Sequence, residues 1–509
     1  MRRRVALALF ALFAPGLHGA QTPPARRVDA YIASAVRAWH EPGLAIAVVK
    51  DDMIVFAKGY GVRKLGEPAP VDENTVFAIG SLTKAFTAAA AGMLVDEGKL
   101  KWDARVIDYL PDFRLFDPWV TREIRLRDLL CHRSGLPAQG GDLMAFGSTY
   151  GRDDLLRRVR FLRPASSFRS TYAYQNLMFL AAGQVVAAAA GTGWDNFVSA
   201  RIFAPLGMNS TSTSVSKLPP SGDIAMPHIY VNGESRAAGH ENVDNIGPAG
   251  AVNTSVRDMA QWIRLQLGRG TYGGRTLFSP AVAREMWQVQ TPIHTAPGPG
   301  GEEPLFNGYG LGWRIGEYSG RKIVGHAGGL AGMTSYLLLS PKDRFGLVIL
   351  TNGELPIQTP LAKYVLDAWL GNRERDWSAE ALVRFRAEER KDAASHAALD
   401  ARRPASAAGV PPLANLTGTY RSEAFGDMEL RAENGKLAVR MVPLPRLEGI
   451  AEPWPYGSFL VTWKDPTCPR TFLTFPLDPD GKPTAANLRR AEEGDESFDF
   501  ENYLFLPLR

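Results

Sequence analysis

Residues 77–100, FAIGSLTKAFTAAAAGMLVDEGKL, set a hydroxyl and an amine three positions apart at the head of an otherwise apolar helix. Three helical steps turn about 300°, so Ser81 and Lys84 stand about 60° apart around the axis, one turn along, on a shared face. Leu82, Phe86, Ala89, Ala90, Met93 and Leu94 follow helical spacing on roughly the opposite side, and Gly98 supplies the stop. The stripe is expected to pack, leaving the Ser/Lys edge for another use. An isolated SxxK is commonplace, with the serine as N-cap and the lysine solvated in the first turn. Here a cation would face the positive end of the helix dipole, where a neutral amine is more comfortable, and a neutral amine is a base.

Upstream, an amphipathic helix is expected around Ala25 to His40. GLAIAVVKDDMIVFAKGYG then reads as two β-branched strands joined by a polar turn at Lys50 to Asp52. Far downstream, KIVGHAGGLAGMTSYLLLSPKDRFGLVILTNG supplies further apolar strands around a turn at Pro341 to Arg344. Helix-like segments with Gly and Pro punctuation lie between. The economical assembly is an α+β (α/β) domain: an antiparallel sheet built from both ends of the region, flanked by helices, with a mostly helical lobe inserted. Clefts form where such lobes meet. Residues 376–411 read as a helical then Pro/Ala-rich linker after a domain spanning 21–375. Residues 412–509, with short alternating segments and Asn-Gly and Asp-Gly turns, read as a small antiparallel β barrel or sandwich.

Two further places carry chemistry-bearing side chains. FRSTYAYQNLMFL (168–180) sets Tyr174 and Asn176 just before a helical run, facing the same way if the approach is extended. IVGHAGG (323–329) puts His326 at the end of an apolar strand. Gly328 and Gly329 follow, and their missing side chains admit another backbone or a substrate. Taken singly, these are a packed aromatic, a helix cap and a strand-end histidine.

Together, SLTK at Ser81–Lys84, YQN at Tyr174–Asn176 and HAG at His326–Gly328 resemble the ordered signatures of the penicillin-recognising serine hydrolases. The most similar group holds class C β-lactamases, D-alanyl-D-alanine carboxypeptidases, D-aminopeptidases and related esterases. LRDLLCHRSGLP, GPAGAVNTSVRDMAQWI, YGLGW and LTNG extend the likeness over roughly residues 25 to 370. The resemblance implies Ser81 as nucleophile, Lys84 as its base, and Tyr174 as proton relay. It also implies an oxyanion site at the backbone N–H groups of Ser81 and Gly329, and Asn176 as a contact for the acyl side chain. His326 stands where class C β-lactamases carry lysine. A largely neutral imidazole offers a hydrogen bond but little charge at pH 7, which favours peptide, amide or ester donors over β-lactams. The expected activity is that of a peptidase or amidase acting through an acyl-enzyme. The alternatives are a β-lactamase or carboxylesterase of the same fold, or a non-hydrolytic penicillin-binding or regulatory protein.

Composition narrows the partners. Of the formal charge of +5, three units sit on Arg2, Arg3 and Arg4, which leaves about +2 and no case for nucleic acid. MRRRVALALFALFAPGLHGA has the layout of a secretory signal over residues 1–20, so a periplasmic or secreted chain without stable membrane insertion is expected. Cys131 and Cys468 are expected to be unpaired. No HExxH or paired-histidine spacing points to a catalytic metal, no cofactor is expected, and no GxSxG elbow occurs.

Overall fold

The computed structural model describes residues 23–219, 222–294, 305–372, 375–403, 410–492 and 498–508, so the signal segment of residues 1–20 lies outside the described residues. Helix α1 (Pro23–Trp39) leads into strands β1 (Gly43–Lys50) and β2 (Met53–Gly61). Asp51 and Asp52 both take positive φ, 51° and 67°, and turn the chain between them. The remaining strands of this sheet are β3 (Thr291–Pro292), β4 (Gly308–Tyr309), β5 (Arg314–Tyr318), β6 (Arg321–Leu330), β7 (Met333–Ser340) and β8 (Phe345–Thr351). They form one eight-stranded antiparallel sheet in the order β2-β1-β8-β7-β6-β5-β4-β3.

The unbroken apolar run of β1 follows from burial on both faces. Leu44, Ile46 and Val48 enter one core beside α1 and helix α5 (Gln358–Leu370), while Ala45, Ala47 and Val49 enter the other. The second core is built by helices α2 (Thr83–Asp96), α3 (Asn176–Ala190) and α4 (Val256–Leu267). Helix α2 departs from the one-sided stripe expected of it. Every residue from Thr83 to Leu94 is buried, because α2 runs through the domain, with Phe86 stacked on Trp262 at 4.0 Å.

Helix α6 (Trp377–Ala401) is a continuous 25-residue helix within residues 376–411, the segment read as helical and then Pro/Ala-rich. Asp376 caps it, and the Trp39 indole donates to Ser378 Oγ at 2.9 Å, tying its start to α1. Beyond it, β9 (Gly418–Ser422), β10 (Gly426–Glu433), β11 (Lys436–Met441), β12 (Glu448–Trp454), β13 (Ser458–Trp463), β14 (Thr471–Thr474), β15 (Asn487–Arg490) and β16 (Leu506–Pro507) make a second eight-stranded antiparallel sheet. It is a meander in which β16 returns beside β9, and its two edges meet at the Ala486–Phe505 bridge, so it curls toward a barrel and is not a sandwich. Its apolar interior is continuous with the core around α2. Cys131 and Cys468 are buried and unpaired.

Loops of the two domains are also joined by directional bonds. Tyr150 Oη donates to the Phe425 carbonyl at 2.7 Å, and the Thr149 N–H to Pro443 at 2.9 Å. Buried Asp499 accepts from the N–H groups of Gly141 and Leu143, at 2.8 and 3.0 Å. The C-terminal domain therefore grips the loop that leads into Asp142.

Candidate active site

Ser81 sits in a single tight turn, Gly80–Leu82, that feeds directly into α2. Gly80 takes φ +49°, and a Cβ there would lie 2.7 Å from the backbone nitrogen of Gly329 on β6. On the other side of the contact, a Cβ on Gly328 would lie 2.1 Å from the Ile79 carbonyl. Glycine at both positions lets the turn and the strand touch backbone to backbone, which sets Ser81 against β6. Gly329 itself is open, with nothing within 4 Å of a Cβ, and lines the same cavity as Ser81.

Lys84 is fully buried, and its three ammonium protons match three acceptors: Ser81 Oγ at 2.8 Å, Asn176 Oδ1 at 2.7 Å and the Ala249 carbonyl at 3.0 Å. The GPAGAVN segment is held there by α2, since Thr87 donates to Pro248 at 2.7 Å and Thr83 accepts from Val252 at 3.1 Å. Burial brings the Lys84 amine down to about 7, opposed only in part by the carboxylate of Asp142. Near neutrality the amine is therefore divided between a form with three donors and a form with a lone pair free for the serine proton.

Tyr174 Oη donates to Ser81 Oγ at 2.7 Å. Burial holds its phenol well above the usual range, so it rests protonated as a donor, not as a phenolate base. The ring is backed by His132, 4.2 Å away between centroids. His132 has positive φ, accepts the Gln175 N–H on Nδ1 at 2.9 Å, and receives the Ala173 N–H on its carbonyl at 2.9 Å. CHRSG thus latches the segment that carries Tyr174.

Asn176 opens α3 and lines the cavity, but both ends of its amide are engaged. Nδ2 donates to both oxygens of buried Asp142, at 3.0 and 2.9 Å, which aims Oδ1 at Lys84. Asp142 is the positioning residue that sequence reading missed. No motif marks it; its place depends on the loop that Asp499 holds from residues more than 350 positions away.

His326 corrects two expectations. It lies within β6, which runs on to Leu330, and not at a strand end. It is also 5% exposed, with Nε2 paired to Tyr309 Oη at 2.7 Å and Nδ1 to the Ala327 carbonyl. Burial, reinforced by the nearby Lys84 charge, lowers it to about 3, so it is neutral at pH 7. With both ring nitrogens occupied, it presents no hydrogen bond to a substrate. Its influence passes through Tyr309 and the packed rings around Tyr174.

The cavity holding Ser81 has a volume of about 680 Å³. The C-terminal domain supplies part of its wall through Arg446, Pro466, Thr467 and Phe498, and α6 adds His396. Among the described residues, no cluster of three His, Cys, Asp or Glu side chains is arranged to hold a metal ion.

Truncating Asp499 to Ala would orphan two buried N–H groups beside Asp142. It is expected to lower stability by about 3 kcal/mol in denaturant unfolding and to slow acylation of Ser81, because the Asn176 amide loses its fixed orientation. An unchanged acylation rate in a folded variant would remove Asp499 from this chain of support.

Comparison with known proteins agrees with the geometry. The Beta-lactamase family model matches residues 28–368, and a domain of unknown function, DUF3471, matches residues 402–506. The chain is 31% identical over 418 residues to an unguisins hydrolase of Aspergillus campestris, covering 77% of this chain and 75% of that one. It is 31% identical over 330 residues to penicillin-binding protein 4 of Amycolatopsis lactamdurans, covering 62% and 81%. The octameric penicillin-binding protein homologue from Pyrococcus abyssi shares the fold, with a TM-score of 0.59 at 21% identity over 94% of this chain and 99% of that one. With the Ser81, Lys84 and Tyr174 side chains gathered at one point and the family model spanning nearly all of the first domain, the chain belongs to the Beta-lactamase family of the penicillin-recognising serine hydrolase superfamily.

Proposed function

We propose that the protein is a serine hydrolase that forms an acyl-enzyme on Ser81 and releases it to water, with peptides and amides as its principal acyl donors. The observation that carries this reading is the buried Lys84 amine, 2.8 Å from a serine hydroxyl and lowered to about 7. Neutral Lys84 takes the Ser81 proton as Oγ attacks the carbonyl carbon of the donor. The developing oxyanion is held by the backbone N–H groups of Ser81 and Gly329. Tyr174, a protonated phenol at Ser81 Oγ, gives its proton to the leaving amine, and the proton that Lys84 took from Ser81 replaces it, so both groups return to their resting forms. Water then attacks the ester by the same route in reverse. Similarity to a relative named as a hydrolase supports turnover over stable trapping of the acyl group. The first 20 residues support action outside the cytoplasm.

The reading is tested by turnover of D- and L-aminoacyl amides, muropeptides, p-nitrophenyl esters and nitrocefin by the purified chain. Amides and peptides are expected to lead, with slower ester cleavage from the same activated serine. Nitrocefin turned over fastest would make the protein a β-lactamase, and acylation without release would make it a penicillin-binding protein.

The pH dependence follows from Lys84. Only the neutral amine accepts a proton, so kcat/KM should fall about tenfold per unit below pH 7 and level off above it. A rate that stays flat between pH 5 and pH 8 would show that Lys84 is not the base.

A further inference from the structure

Arg446 lies within the chain's last hundred residues, far in sequence from every signature around Ser81, yet it lines the Ser81 cavity. It also lines an adjoining cavity of about 620 Å³, and Glu241, Ala331 and Thr467 share that partition with it. The charged groups around the first cavity differ in how far the protein already uses them. Asp142 is spent on Asn176. Glu354 accepts the N–H groups of Gly332 and Tyr230, at 2.8 and 2.7 Å. Glu241 is drawn toward its neutral form by burial, opposed in part by the charge of Arg446, and accepts from the Ala331 backbone.

Arg446 is under-used by contrast. A guanidinium carries five N–H donors. Among the described residues, its one carboxylate within 4 Å is Asp465, at a long 3.4 Å, and its buried Nε has no partner. Asp465 is itself occupied on its other oxygen by Thr467, through the backbone N–H at 2.9 Å and the hydroxyl at 2.6 Å. The guanidinium carbon also stands 5.8 Å from the Phe498 ring centroid. An arginine braced at arm's length beside an aromatic ring, with donors to spare, is built to receive a planar anion.

We propose that Arg446, supplied by the C-terminal β domain, is the anion-recognising residue of the Ser81 cavity and takes the carboxylate of a peptide acyl donor. The proposal rests on the reading of Ser81 as nucleophile. It gives the C-terminal domain a part in substrate choice, and it restores a cation to a site where His326 is buried and neutral. Lys84, bonded to Ser81, Asn176 and the Ala249 carbonyl, is not drawn on for the carboxylate and keeps its role as base.

The test is competition against fluorophosphonate labelling of Ser81 in the full chain. N-acetyl-dialanine is used as the free acid and as the carboxamide, in D,D and L,L forms. In the wild type, one stereoisomer of the acid is expected to slow labelling at roughly a tenth of the concentration its amide requires, the worth of a charge-assisted pair. In Arg446→Gln the acid and the amide should become equivalent, and Arg446→Lys should recover part of the preference. Thermal melts confirm that both variants fold. Acid preference surviving in Arg446→Gln, equal protection by acid and amide in the wild type, or no protection by either overturns the proposal. If Ser81 is not labelled at all, the nucleophile assignment has failed instead. Calorimetric titration of the same acid and amide into wild type and Arg446→Gln then reads the subsite alone, with the same expected ratio.

Discussion

Ser81→Ala is expected to abolish fluorophosphonate labelling completely and to lower turnover by roughly 10⁴-fold or more, the largest effect of any single substitution in the protein. The size follows from the geometry. Lys84 and Tyr174 both converge on Ser81 Oγ, at 2.8 and 2.7 Å, so removing that one atom leaves a base and an acid with nothing to act on. Folding should survive, because Lys84 keeps Asn176 Oδ1 and the Ala249 carbonyl as partners. Intact mass and peptide mapping decide the matter: label retained in the variant would assign the nucleophile to another serine.

The second large effect is at Lys84, where two variants separate proton transfer from mere charge. Lys84→Met removes the amine, and Lys84→Arg keeps a cation that cannot give up its proton near neutral pH. Both are expected to lose roughly 10³-fold or more in acylation rate. In Lys84→Met, relief from burying an amine offsets the orphaned acceptors on Asn176 and Ala249, so its melting temperature should shift by only a few degrees. Lys84→Arg must also fit a longer, planar group into a fully buried position, and its fold is checked by circular dichroism. Substantial turnover in a folded Lys84→Arg variant would make Lys84 an electrostatic residue and send the search for the base elsewhere.

Features that local geometry encodes could be read from the residues alone. The three-residue offset of Ser81 and Lys84 fixes a shared helical face, as any helix would. The alternation and turns around Asp51–Asp52 and Pro341–Arg344 fix antiparallel neighbours. The order of SLTK, YQN and HAG was enough to point to the family. The remaining features depend on contacts between distant segments and on burial, which exist only in the folded chain. Lys84 meets Asn176 across 92 positions, and Asp142 orients that amide from a loop held by Asp499. The depression of Lys84 comes from loss of water, and that loss exists only once α2 is enclosed on all sides. His326 read as a cleft residue because HAG resembles a substrate-facing motif, but the strand's register turns its ring inward to Tyr309. Arg446 was invisible in the sequence for the same reason. No spacing rule connects a β-meander residue to a serine 365 positions earlier, and only packing of the second sheet over the first domain brings them to one cavity.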